Sequence, residues 1–148
     1  MSTITKWNLA VVFPTILIFI AIWGTRNSSH NQLNLPAIRK WALVDPREEI
    51  ANPIFGAIPQ FQKNGGMLLE TEVEPQVVRA ILSGEIVEVG ENTVKLSLNF
   101  YPRAIRYEGI DDIHVKKGMF VIAGEKIGIV KPHGPPGTVR LRLSIENK

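Results

Sequence analysis

The residue types that could carry chemistry in this chain are few and widely spaced. The sequence has no cysteine, which excludes disulfides, thiolate metal sites and thiol nucleophiles. His30, His114 and His133 do not have the spacing of a metal-ligand motif, and separate solvated or locally bonded histidines are the simpler interpretation. Asp111 and Asp112 lack a partner motif and are typical of a turn. The sequence therefore predicts no catalytic residue, no metal ligand and no cofactor.

Two arginines near the C-terminus form the pattern that most suggests binding. Arg140 and Arg142 are two residues apart in segment 138–145, where apolar and polar residues alternate. Residues two apart on a strand project to one face, so the two guanidinium groups could grip the carboxylates of a peptide, an anionic polymer or an acidic partner segment. The alternative is that they are ordinary charges on a solvent-facing strand. Both interpretations remain open at this level.

After Gly65 the sequence has the pattern of β-strands and no helical periodicity. Segments 84–89 and 93–98 are predicted to form a hairpin across residues 90–92. Further strands are predicted at 105–107, 126–130 and 138–145. Residues 77–82 form an apolar run, and Gly118 and Gly124 mark two tight turns around Phe120–Val121. Roughly eighty residues of this kind suffice for one small core. We expect an all-β domain over residues 65–148, built as a small antiparallel sandwich.

Residues 24–64 are expected to connect this domain to the N-terminal segment. Residues 24–35 are polar and typical of a linker. A short helix is predicted from Pro36 to Val44. Residues 45–64 contain three prolines and scattered apolar residues. They could form an irregular arm lying on their own domain or on a partner, or a plain spacer.

Residues 7–23 predict a membrane anchor. They contain no charged residue, and as a helix they would span roughly 25 Å, close to the thickness of a bilayer core. Trp7 and Trp23 suit the two membrane interfaces, and Ile22–Trp23 does not form a small-x-small cleavage site. We predict a retained single-pass anchor with residues 1–23 as cytoplasmic stub and span, and with the C-terminal domain exported.

The overall charge argues against nucleic acid as a partner. Seventeen Lys and Arg against fourteen Asp and Glu give a net charge of +3. These charges are dispersed, without interleaved aromatic residues that could stack on bases. The composition is that of a globular protein.

Three blocks of sequence resemble one known family. Residues 107–130 read YEGIDDIHVKKGMFVIAGEKIGIV, and the family pattern is Y-x-H-L-x-x-I-x-V-x-x-G-x-x-V-x-x-G-x-x-I-G-x-V. VRAILSGEIV at 78–87 resembles its V-x-A-x-x-x-G-x-V strand pair, and RLRLSI at 140–145 stands where the family has H-L-H-F-E-I. These blocks resemble the lysostaphin-like (LytM-like) zinc peptidases, which cut peptidoglycan cross-bridges. A weaker form of the middle block occurs in barrel-sandwich hybrids.

The resemblance implies a fold whose catalytic residues are missing. The family binds zinc through an H-x-G-x-D motif, which falls near residues 65–70, where Glu70 is the nearby acid and is one position off. Gly109 stands at the family's auxiliary histidine, and Arg140 and Arg142 stand at its last two histidines. Arginine stays protonated in proteins and cannot ligate a metal. The resemblance therefore implies a degenerate domain that is not an enzyme.

In the family's layout the strand with Arg140 and Arg142 lines the former active-site groove. Other residues are expected to line or flank the same groove, in part from the loops at 101–103 and 132–137. These further candidates for partner binding are Glu70, Tyr101, Arg103, Tyr107 and His133.

We interpret the chain as a membrane-anchored, non-catalytic module that binds or scaffolds at the cell envelope. Its expected partners are the bilayer and either peptidoglycan or envelope proteins, with a possible homo- or hetero-oligomeric assembly. One alternative is a structural subunit of a secretion or conjugation machine, or of the virion of a membrane-containing phage. A second is an enzyme with displaced ligands at Glu70, His114 or His133. A third, a carrier domain, lacks the usual Met-Lys-Met setting around Lys116–Lys117.

Overall fold

The computed structural model describes residues 35–72, 74–134 and 137–148. Within these ranges no helix is both long enough and apolar enough to cross a membrane. The predicted anchor at residues 7–23 lies outside the described residues, so membrane insertion stays a prediction.

The described strands form two antiparallel sheets. The larger sheet has seven strands, in the spatial order β1 (Ile58–Phe61), β2 (Met67–Glu72), β10 (Thr138–Asn147), β6 (Arg103–Glu108), β5 (Thr93–Leu98), β4 (Gly84–Val89) and β8 (Phe120–Val121). The smaller sheet has three, in the order β3 (Gln76–Arg79), β9 (Lys126–Val130) and β7 (Asp112–Ile113). The predicted all-β fold is confirmed, and so is the hairpin of β4 and β5.

The alternation along each strand decides which face of the larger sheet is buried. On β10, Val139, Leu141 and Leu143 are buried, whereas Arg140 and Arg142 are exposed, as expected for a strand period of two. The smaller sheet contributes to the same core through Val78, Ile127 and Val130. One face of the larger sheet therefore packs into the core, and the opposite face at β10 and its neighbours points to solvent.

A helix and an extended segment precede the first strand. Helix α1 covers residues 35–42 and ends where Leu43 adopts a left-handed conformation with φ of +53°. It buries Ile38 and Ala42 in the core that the strands share. The predicted helix is thus present but two residues shorter at its C-terminal end.

The segment after α1 packs on its own domain. Ile54 and Ala57 are fully or almost fully buried in the common core. The backbone N–H of Ala51 donates to the carbonyl of Ile81 at 2.9 Å, and Pro53 accepts from the N–H of Arg79 at 2.9 Å. The compact unit runs from Asn34 to Lys148 and so begins well before residue 65, because the arm completes its core.

Candidate functional site

The outer face of the larger sheet carries the arginines that the sequence singles out. Strand register places Ile58, Glu70 and Arg140 in one row across β1, β2 and β10. A second row runs from Leu68 through Arg142 to Glu108 across β2, β10 and β6. Directly opposed residues in antiparallel strands share a face. We call this surface the arginine face, formed by Ile58, Leu68, Glu70, Glu108, Arg140 and Arg142.

The two arginines of this face differ in their partners. Nε of Arg140 donates to Oε1 of Glu70 at 3.0 Å. Arg142 is exposed, and across the described parts of the chain its guanidinium has no ion-pair partner and no hydrogen bond, although Glu108 is its Cα partner on β6. Arg142 therefore presents free donors to solvent, while Arg140 is held by an acid.

A charged network continues along the same outer face. Nε of Arg106 donates to Glu146 at 2.7 Å, a second nitrogen of Arg106 lies 3.2 Å from Glu88, and Nζ of Lys95 lies 2.8 Å from Glu146. Hydrogen bonds from Arg106 and then from Lys95 lower the pKa of Glu146 to about 2. These cations are already paired, which distinguishes Arg142 from its neighbours on the sheet.

The backbone at Gly109 is specific for glycine. Its φ is +102°, and a Cβ at this position would lie 2.8 Å from the carbonyl oxygen of Arg140. A side chain at residue 109 would therefore strain the backbone and press on β10. The position where the resembling family keeps an auxiliary histidine is closed here by both conformation and space.

Tyr107 does not belong to the arginine face, which corrects the prediction made from the motif. It is fully buried, and its hydroxyl accepts a hydrogen bond of 2.9 Å from the N–H of Ile81. Burial raises the pKa of the Tyr107 hydroxyl. Tyr107 points inward because it shares the strand face of Ile105, while Arg106 and Glu108 point outward.

Tyr101 and Arg103 are also placed away from the arginine face, where they clamp the end of α1. Arg103 donates to the carbonyls of Ala42 at 3.0 Å and Leu43 at 2.8 Å, which supplies donors for the free carbonyls of a helix end. The hydroxyl of Tyr101 accepts from the N–H of Asp45 at 2.9 Å, and the guanidinium of Arg103 lies 5.3 Å from the Tyr101 ring. Both residues hold the chain together rather than lining a groove.

His133 lies beside the start of β10 and is tied to an acid. Its Nε2 lies 2.8 Å from Oδ1 of Asp111, and its backbone bridges to Thr138. The other oxygen of Asp111 accepts from the N–H of Lys131 at 2.6 Å. His133 thus links Asp111 to Thr138, the first residue of β10, which lies two residues before Arg140.

Sequence reasoning missed three members of the arginine face. Ile58, Leu68 and Glu108 join it only through the pairing of β1, β2 and β6 with β10. The sequence signal that could have found two of them is the strand period of two, which places residues two apart on the same face. Leu68 is two residues from Glu70, and Glu108 is two residues from Arg106.

Comparisons with known proteins identify the fold. No protein-family model and no curated protein matches the sequence. The NMR solution structure of lysostaphin aligns with a TM-score of 0.51 and 24% identity, covering 62% of this chain and 44% of that chain. A crystal structure of a putative peptidase M23 from Pseudomonas aeruginosa aligns with a TM-score of 0.51 and 16% identity, covering 76% of this chain and 55% of that one. The chain thus spans about half the length of either structure.

These similarities establish a shared fold with M23 metallopeptidases, which confirms the lysostaphin-like architecture expected from the sequence. Such folds imply a zinc ion, and the residues of the arginine face do not fit one. A hydrolytic zinc takes about three protein ligands and an open position, whereas a guanidinium cannot ligate. Among the described residues, no group of three or more His, Cys, Asp or Glu could hold a metal ion.

Proposed function

We propose that this protein is a non-catalytic binding module that holds a carboxylate-bearing ligand of the cell envelope on its arginine face. Peptidoglycan stem peptides are the first choice of ligand, because the fold is shared with lysostaphin. The observation that carries the proposal is the free guanidinium of Arg142, exposed beside Arg140 at two positions where the resembling peptidases have histidines.

The composition of the arginine face narrows the kind of ligand. Glu70 and Glu108 balance Arg140 and Arg142 in formal charge, so the face is not a general polyanion-binding surface. A guanidinium with free donors can pair with one carboxylate through two parallel hydrogen bonds. Ile58 and Leu68 add apolar surface on the β1 and β2 side. We therefore expect recognition of a single, well-positioned carboxylate next to an apolar group.

The proposal includes the absence of peptidase activity. By the resemblance, restoring zinc chemistry would require new ligands near residues 65–70 and at one of the two arginine positions, and Gly109 leaves no space for the family's auxiliary histidine. Purified protein supplied with zinc is expected to release no soluble fragments from peptidoglycan sacculi. Release that depends on added metal, and stops on chelation, would contradict this part of the proposal.

The proposal also includes membrane attachment. The uncharged segment at residues 7–23 would anchor the protein with the folded unit on the outer side, and residues 24–33 would connect the two. Such an arrangement would keep the protein at the membrane, among the wall and the other envelope proteins.

Binding is tested by co-sedimentation of the full chain, in mild detergent, with purified peptidoglycan sacculi. Wild type is expected to pellet, and Arg142→Gln is expected to weaken binding by about tenfold, the effect of losing one charge-assisted pair. Arg47→Gln is the matched control, because Arg47 is exposed, lies outside the arginine face and carries the same charge. Failure of wild type to pellet, or equal losses in the two variants, would contradict the proposal.

A further inference from the structure

Three strongly exposed apolar side chains come from three different loops. Phe100 is 80% exposed, Leu43 is 67% exposed and Ile122 is 60% exposed. Leu43 follows α1, Phe100 lies between β5 and β6, and Ile122 follows β8. Large apolar residues scattered singly over a surface need no explanation, whereas several at one place mark an interaction site.

Strand register brings Phe100 and Ile122 to the same end of the larger sheet. Gly84, the first residue of β4, pairs with Leu98 of β5 on one side and with Val121 of β8 on the other. Strands β5 and β8 are both antiparallel to β4, so they run in the same direction past Gly84. Phe100 follows Leu98 by two residues and Ile122 follows Val121 by one, so both lie beyond the same end of the sheet. The N–H of Ala123 donates to Oγ of Ser83 at 3.0 Å, which fixes the second loop at this end.

Leu43 lies at that end as well. Its carbonyl accepts from Arg103, the first residue of β6, at 2.8 Å. Strand β6 begins where β5 ends, so Leu43 and Phe100 flank one turn. From β6 to β8 there are three strand spacings, or about 14 Å. We call this surface the apolar end, formed by Leu43, Phe100 and Ile122.

The described part of the chain begins close to the apolar end. The described part of helix α1, residues 35–42, is about 12 Å long, so residue 35 lies within roughly that distance of Leu43. The segment that precedes residue 35 is therefore joined to the folded unit near the apolar end.

We propose that the apolar end rests on the bilayer surface and inserts Leu43, Phe100 and Ile122 into its interfacial layer. This inference relies on the membrane attachment included in the proposed function. Insertion of three large apolar side chains gives the folded unit an affinity of its own for a bilayer, and a tether adds to it by raising the effective concentration of the domain at the membrane. The contact would set the direction in which the arginine face points.

The charges around the apolar end predict how binding depends on lipid. Asp45 lies at this end, where its backbone N–H donates to the hydroxyl of Tyr101, and Glu125 accepts from the N–H of Ile122 at 2.9 Å. Lys148 lies beside the β5–β6 turn through a bond of 3.2 Å to Pro102, and Lys40 is exposed on α1. Because both signs are present, we expect apolar insertion to dominate over attraction to anionic lipid.

Flotation with lipid vesicles tests the inference. The fragment 34–148 contains the whole compact unit but not the anchor segment. It is expected to float with vesicles of phosphatidylcholine and equally with vesicles that also contain phosphatidylglycerol. The double variant Phe100→Ser/Ile122→Ser is expected to lower the partition coefficient by about tenfold or more. Ile58→Ser, which removes an exposed isoleucine from the arginine face, is the matched control and should float like wild type.

Two results would overturn the inference: a fragment that does not float, or a double variant that floats as well as wild type. Concentration-dependent dimers that the double variant abolishes, without flotation, would assign the apolar end to a second copy instead. The full chain is floated in parallel, and its failure to float would reject the anchor in the proposed function independently of the fragment.

Discussion

Arg140 and Glu70 stand directly opposite each other on β10 and β2, and their side chains form an ion pair of 3.0 Å between Nε and Oε1. Arg142, the next outward residue of β10, has no such acid in the described structure. The ion pair restrains the guanidinium of Arg140, whereas the guanidinium of Arg142 stays free in the described structure. A ligand carboxylate would therefore meet Arg142 first and compete with Glu70 for Arg140.

Removing Glu70 should strengthen ligand binding. In Glu70→Gln both guanidinium groups become available, so the affinity for a carboxylate ligand is expected to rise by several-fold. The exposed ion pair contributes less than about 1 kcal/mol to folding, and the thermal midpoint should change little. Co-sedimentation and thermal unfolding of the same preparation measure both effects. Weaker binding by Glu70→Gln would mean that Glu70 itself contacts the ligand.

Gly109 should not tolerate a side chain. Gly109→Ala is expected to lower the free energy of unfolding by at least about 2 kcal/mol, because the Cβ strains a left-handed backbone and must also displace the carbonyl of Arg140. Gly118→Ala is the matched control, since its φ is +90° and no atom lies within 4 Å of the added Cβ. It should cost only about 1 kcal/mol. Denaturant unfolding measures the stability of both variants. Equal losses of unfolding free energy would contradict the predicted clash between the Cβ at residue 109 and the carbonyl of Arg140.

The parts of the fold that were predictable follow from short-range periodicity. The hairpin of β4 and β5 and the outward direction of Arg140 and Arg142 are consequences of a strand period of two. The motif gave a wrong position for Tyr107. Tyr107 is two residues from Ile105 on β6, so both side chains lie on the buried face of the strand. The clamp of Arg103 on α1 was not predictable, since its partners are about sixty residues away in the sequence and no periodicity links them.

The arm before β1 should be essential to stability, and Ile54 in the arm and Ile58 at the start of β1 provide a matched comparison. Ile54 is fully buried and Ile58 is 71% exposed. Ile54→Ala is expected to lower the free energy of unfolding by about 3 kcal/mol through lost burial and a cavity. Ile58→Ala should change it by less than about 0.5 kcal/mol. Chemical denaturation measures both variants. If Ile54→Ala lowers the free energy of unfolding as little as Ile58→Ala does, the arm is only loosely attached to the domain.

The buried hydroxyl of Tyr107 should make stability fall at alkaline pH. Its folded-state pKa is raised by burial above the ordinary value of 10.0, so its contribution is complete below about pH 10 and is lost as pH rises further. Tyr107→Phe is expected to be about 2 kcal/mol less stable at pH 7, because the N–H of Ile81 loses its acceptor.

The same comparison at higher pH provides the check. Tyr107→Phe has no hydroxyl to ionise, so the stability difference from wild type should narrow above pH 10. Denaturant unfolding from pH 7 to pH 11 measures it. A difference that stays constant across this range would show that the Tyr107 hydroxyl ionises as readily in the folded as in the unfolded chain.

The central claim is that the arginine face recognises a carboxylate. It is tested most directly by calorimetric titration of the full chain with a soluble peptidoglycan fragment, in one form with free stem-peptide carboxylates and in another with those groups amidated. We predict binding of the free form, with an affinity at least about tenfold lower for the amidated form. We predict the same loss for the free form with Arg142→Gln and none with Arg47→Gln. Equal affinity for both forms, or an Arg142→Gln variant that still distinguishes them as wild type does, would contradict the claim.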